Sequence, residues 1–274
     1  MSSAAQKQTS SAAQKQTFVC IRSSALYVGR PAGRQAKALT HSHALPMIAV
    51  ACHCEGQDLP RKGVVVMSEA LYRATQMITT SDLPRMVLDQ RDLPSALRGF
   101  LLLREGPLDN ETMAQQGFPG STAERYRAIG RITGYMREFA APALEGEGIP
   151  QGYDLLAATV VHLFDDREGV SRWINEIFVG EFCARVDQEL HPGQRLLTVE
   201  RLTPRGFADE AIGLRVLQSS DPGPVSSTII DFRVGRLLGV AYVATLGNSG
   251  RLELVERLAQ ALERRFVQVA LEVR

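Results

Sequence analysis

The chain has 274 residues, 45% of them hydrophobic, which suffices for one large or two small domains that bury a core unaided. Its net charge of +1 conceals an asymmetry: residues 1–54 carry Lys7, Lys15, Arg22, Arg30, Arg34 and Lys37 and no Asp or Glu, so the remainder is mildly acidic. A mildly acidic domain lacks the basic stripe that neutralises phosphates, which argues against nucleic acid as a partner. Of the four cysteines, Cys20, Cys52 and Cys54 lie early, and Cys183 alone cannot form a disulfide framework inside the fold.

The chain opens on SSAAQKQT twice in tandem, Ser2 to Thr9 and Ser10 to Thr17, a low-complexity repeat too polar to offset the entropy of ordering, so disorder is expected. After Lys37 comes an uncharged stretch with ALPMIAVA, residues 44–51, as its apolar centre. Basic residues, an apolar run and Ala49-Val50-Ala51-Cys52 resemble a short secretory leader with a lipoprotein processing site, which makes Cys52 the lipidation candidate. A plain disordered tail, an organelle transit peptide and an upstream extension before a true start at Met67 are the competing readings. The apolar run is well short of the roughly 18 residues of a membrane-spanning helix. The expected organisation is a disordered basic leader over residues 1–66 and a single α+β domain over 67–274.

From Ser68 the pattern turns globular. Leu71, Met77 and Ile78 are spaced for a short helix over 68–78 with Ser68 as N-cap, and Asp82-Leu83-Pro84 and Asp92-Leu93-Pro94 predict extended or turn geometry before each proline. Residues 99–121 read as a loop, Thr122 to Ile129 as a brief helix, Arg131 to Phe139 as a strand, and 140–152 as a second, Gly-rich loop. Asp154 to Phe164 is apolar and partly β-branched, which predicts a strand buried on at least one face. Arg167 to Cys183 then spaces Val170, Trp173, Ile174, Ile177 and Phe178 for a helix capped by Asp165 or Asp166. Strands are expected over 195–202, 212–218, 226–234 and 237–246, the last two joined in a hairpin at Gly235-Arg236. A final amphipathic helix over 251–268 carries Arg257, Arg264, Arg265, Glu253, Glu256 and Glu263 on a solvated face, where pairing along the helix is expected.

Strand 131–139, strand 154–164 and helix 167–183 share the order ββα with strand 226–234, strand 237–246 and the final helix. The expected fold is an antiparallel sheet built from ββα units with the helices packed on one face.

Chemistry-bearing residues are few. His41, His43, Cys52, His53 and Cys54 supply ligand types suited to zinc or copper, although their spacing is unlike a zinc site and adjacent ligands do not easily converge on one ion. His162, followed by Asp165, Asp166 and Glu168, is the acid/base candidate, set against acidic residues that serve a helix N-terminus. His191 reads as a turn residue and Trp173 as core. Ser219, Ser220, Ser226 and Ser227 lie outside any nucleophile elbow, and the glycines form neither a dinucleotide fingerprint nor a phosphate loop, so no cofactor is expected.

Two stretches, VVHLFDDREGVSRWI and STIIDFRVGRLLGVAYVATLGNSGRLELVERLAQAL, set this order of elements. Over about residues 120–270 it resembles the PsbP-like domains of photosynthetic lumen subunits and the extracellular sensor domains and small lipoproteins of mycobacteria. The resemblance implies hairpin-helix units on an antiparallel sheet and an extracytoplasmic location, and it assigns no functional residue. The functional expectation is a non-catalytic module, exported and lipid-anchored at Cys52, that holds a small-molecule ligand or protein partner on its sheet face or its loops. An enzyme acting at His162, Asp165 and Asp166 and a cytoplasmic adaptor are the alternatives.

Overall fold

A computed structural model describes residues 62–142, 144, 149–191, 193–221 and 223–273. The tandem repeat, the apolar run, Cys52 and the His41, His43, His53 and Cys54 cluster lie outside the described residues.

Eight strands, β1 (Leu101–Leu108), β2 (Arg131–Ala140), β3 (Asp154–Phe164), β4 (Glu189–His191), β5 (Gln194–Leu202), β6 (Ala211–Gln218), β7 (Val225–Val234) and β8 (Leu237–Leu246), form one sheet. Their order is β1-β2-β3-β8-β7-β6-β5-β4, with every neighbouring pair antiparallel. The expected α+β class and antiparallel sheet are therefore present, and β2, β3 and β5 to β8 fall within one residue of the spans their composition predicts. Residues 99–121 are not a plain loop: they hold the edge strand β1 and helix α3 (Asn110–Gln116). Pro107 lacks an N–H for a ladder and so hides the strand in the sequence, yet an edge strand needs partners on one side only.

Helix α1 (Lys62–Thr75) begins ahead of Ser68, which lies inside it rather than capping it. In the first DLP, Leu83 is helical (φ −58, ψ −38) and opens the short helix α2 (Leu83–Met86), while Leu93 of the second is extended (φ −65, ψ 145). Helix α4 (Ala123–Ala128) begins at Thr122, whose side chain accepts from the Arg125 N–H.

The helices do not share one face of the sheet. Helix α7 (Leu252–Glu272) lays Val255, Leu258, Leu262 and Phe266 against Ala157, Val161, Phe232 and Val243, and Met86, Val87 and Leu97 extend this core. Helix α5 (Arg167–Arg172), a π-helical segment (Trp173–Gly180) and helix α6 (Glu181–Ala184) cover the opposite face through Val170, Trp173, Ile174 and Phe178 on Val160, Leu214, Ile229 and Tyr242. The reason is visible in the central strands. β3, β7 and β8 are buried on both sides along most of their length, so each face needs its own cover. A rotation exchanging the antiparallel pair β2-β3 with β8-β7 would carry both helices to the same face. The two ββα units thus share an element order without being related by that rotation.

The α7 face closes tightly. Phe232 lies with its ring centre 5.3 Å from that of Phe207 and 5.6 Å from that of Phe266. It stands opposite Gly239 on β8, where a Cβ would come within 2.2 Å of the ring. The charged face of α7 makes cross-chain contacts rather than the pairs along the helix that its spacing predicts. Glu256 accepts from the Arg205 N–H, Glu263 from the Ala208 N–H, and Arg265 pairs with Asp92 at 2.7 Å, because flanking loops fold over the helix.

Candidate functional site

The face under the π-helical segment does not close in the same way. The segment has wider turns than the α-helices on either side of it. Beneath it a cavity of about 140 Å³ remains, roofed by Trp173, Ile177 and Phe178 and floored by Val160, Ile229 and Tyr242 of the sheet. Met113, Gln116 and Phe118, from α3 and the turn after it, form one flank.

Asp231, His162 and Arg131 are buried at or beside this cavity, and each is held in an unusual state. Asp231, in the middle of β7, is 1% exposed and lines the cavity. The Trp173 indole Nε1–H donates to its Oδ2 at 3.2 Å, and its Oδ1 has no hydrogen-bond partner among the described residues. Burial pushes this carboxyl well above the ordinary carboxylate range. His162 also lines the cavity, with its ring centre 5.1 Å from that of Trp173. Its Nδ1 accepts from Arg131 Nε at 3.2 Å and Nη2 at 2.9 Å, which places the ring proton on Nε2. Burial, and then the neighbouring guanidinium, hold the imidazole well below its usual value and therefore neutral.

Arg131 is 2% exposed and pairs with no carboxylate among the described residues. It donates to Asn110 Oδ1 at 2.7 Å and to the Leu108 carbonyl at 2.8 Å, and burial lowers its guanidinium to about 9. Gly134, opposite His162 on β2, makes this packing sterically feasible: a Cβ there would come within 2.7 Å of His162 Nδ1 and 2.9 Å of Arg131 Nη2. On the other flank Tyr242 donates to Glu138 Oε1 at 2.5 Å, and Glu138 also accepts from Arg104. Tyr126 closes the α4 side, its phenol raised by burial.

The residues of the acid/base reading do not converge. His162 faces the cavity, Asp165 is exposed, and Asp166 accepts from the Gly169 N–H at 2.7 Å as the N-cap of α5. Glu168 pairs with Arg167 at 3.2 Å. His191 ends β4, and Cys183 packs at the margin of the cavity-side core. Trp173 is buried, as its spacing implies, but it is also the wall of the cavity and the donor to Asp231. Sequence reasoning passed over Asp231, Arg131 and Gln116. The one available signal was Asp231 itself, the only charged residue between Val225 and Phe232.

Among the described residues no group of three or more His, Cys, Asp or Glu is placed to hold a metal ion, and no helix is long and apolar enough to cross a membrane. What the cavity offers chemically is an apolar, ring-lined space with a buried hydrogen-bonding carboxyl.

No family model and no curated protein sequence matches the chain. Similar solved structures include the extracellular domain of PknH from Mycobacterium tuberculosis, at 8% identity and a TM-score of 0.47, covering 70% of this chain and 97% of that one. An uncharacterised protein from Mycobacterium smegmatis is similar at 12% identity and a TM-score of 0.35, covering 73% of this chain and 96% of that one. The first of these is a mycobacterial extracellular domain, the kind of protein that the element order resembles.

Proposed function

We propose that the protein is a non-catalytic binding module, exported and anchored through Cys52, whose small-molecule ligand sits in the cavity beneath the π-helical segment. One observation carries the reading: Asp231, which lines a largely apolar cavity, has a buried Oδ1 without a partner among the described residues. A buried polar atom without a partner costs about 1–3 kcal/mol, and a ligand that bonds to it would remove that cost. The support for export is the acid-free basic leader with its apolar run and Ala49-Val50-Ala51-Cys52.

Trp173 is the single tryptophan of the chain and lines the cavity, so its emission reports occupancy directly. A fragment screen followed by Trp173 emission and melting temperature is expected to yield ligands that change both. Val240→Phe, which fills the cavity, should abolish those responses while the protein still melts cooperatively. Ligands whose effects survive that substitution would place the site elsewhere. For export, the mass of the native N-terminus is expected to show a lipid-modified chain beginning at Cys52. An intact N-terminus at Met1 in the cytosolic fraction would overturn it.

A further inference from the structure

We propose that the cavity is shaped for a small organic ammonium, a primary amine carried on an apolar body about the size of one benzene ring. This rests on the cavity being the ligand site and adds the chemistry of its occupant.

Size sets the first limit. An apolar cavity of roughly 150 Å³ accommodates a benzene molecule, and this one has about 140 Å³. The walls set the second. Phe118, Tyr126, Trp173, Phe178, Phe182 and Tyr242 line it with rings from several elements of the fold, and a ring whose face fronts the space attracts a cation and disfavours an anion, as Phe118 attracts the Arg185 guanidinium 4.8 Å from its centre. The third comes from the polar atoms. Two residues that line the cavity carry buried side-chain oxygens with no hydrogen-bond partner among the described residues, Asp231 Oδ1 and, on the half-buried flank, Gln116 Oε1. An ammonium brings three donors to such a site, and an alcohol brings one.

The charged and titratable groups around Asp231 are few. Arg131 is not among the lining residues; its guanidinium, bonded to His162, Asn110 and the Leu108 carbonyl, lies 5.9 Å from the centre of the Trp173 ring and is a fixed cation close to the cavity. From β3 the facing group is His162, which is neutral; from α4 it is the Tyr126 phenol; and from β8 it is Tyr242, whose hydroxyl is tied to Glu138. The only carboxyl lining the cavity is Asp231. Asp231 is the counter-ion to the ammonium; burial raises its carboxyl well above the ordinary carboxylate range, so any proton it carries before binding passes to the buffer when an ammonium enters, and a neutral ligand makes no such demand.

The test titrates the full chain with benzylamine, benzyl alcohol and toluene, which share one ring and differ in polar group. Trp173 emission reads binding, and calorimetry in two buffers of different ionisation enthalpy reads the proton. Benzylamine is expected to bind at least about tenfold more tightly than benzyl alcohol, as a charge-assisted bond is stronger than a neutral one, and to release up to one proton. Asp231→Asn keeps an oxygen to accept from the Trp173 N–H. It should abolish the amine preference and the proton release while leaving toluene binding unchanged, which also shows that the variant is folded. Equal binding of the three, or an amine preference that persists in Asp231→Asn, overturns the ammonium and leaves the cavity as a ligand site. Binding of none of them overturns both.

Discussion

The two faces of the sheet are closed in different ways. Against α7 the deep layer is chiefly aliphatic and aromatic, with Phe232 packed among Phe207, Phe266 and the bare backbone of Gly239. Under the π-helical segment, Arg131, His162 and Asp231 are each no more than 2% exposed, and a cavity remains among the rings. Filled apolar volume stabilises a fold, whereas buried polar groups and unfilled space cost stability. The comparison therefore separates a face that holds the domain together from one whose buried polar groups and unfilled space work against its stability.

The largest expected effect is on the filled face. Phe266→Ala removes a fully buried ring and should cost about 3–5 kcal/mol in denaturant unfolding. A loss below about 1 kcal/mol would show that this face is not the principal source of stability.

Acid titration of stability reads the other face. Asp231 has a folded value raised above its ordinary 3.8, so its contribution is fully present below that value and is lost as pH rises. His162 has a folded value lowered from 6.5, so its contribution is present above 6.5 and is lost as pH falls. The two oppose each other between 3.8 and 6.5. Relative to the parent, Asp231→Asn should gain stability as pH rises above 3.8, and His162→Gln should lose less on acidification below 6.5. Each slope is at most about 1.4 kcal/mol per pH unit. Urea midpoints across the acid-to-neutral range check this, and difference curves flat with pH would remove the buried titrations from the account.

The smallest effect belongs to Asp166→Ala, which deletes the N-cap of α5 and should cost about 1 kcal/mol without altering the response of Trp173 to ligand. A loss of binding there would bring the helix N-terminus into the site.

The strands were legible wherever apolar and β-branched runs were bounded by Gly, Pro or Asp, as in β3, β7 and β8. β1 was hidden because it is an edge with Pro107 within it and with Leu101, Leu102 and Leu103 exposed, so neither burial nor alternation marks it. The division of helices between faces was illegible for a related reason. Strands buried on both sides lose their two-residue alternation, and nothing local then says which face a following helix will take. The site was legible only in part. His162 stood out by residue type, but its partner Arg131 lies a strand away, and Asp231 in STIIDF has no neighbour in sequence that explains it. Such sites are assembled by register between strands, which composition does not carry.

The strand order has a consequence for the order of events in folding. β1-β2-β3 and β4 to β8 are two meanders of local pairings, and the pairing of β3 with β8 is the long-range seam that joins them. Closing it brings together segments separated by the whole chain from Phe164 to Leu237, the strand pairing with the greatest loop-closure cost in the sheet. Val160 and His162 stand on one side of the seam, and Ile229, Asp231 and Tyr242 on the other. The cavity therefore comes into being only as the two meanders join, and whatever occupies it touches both.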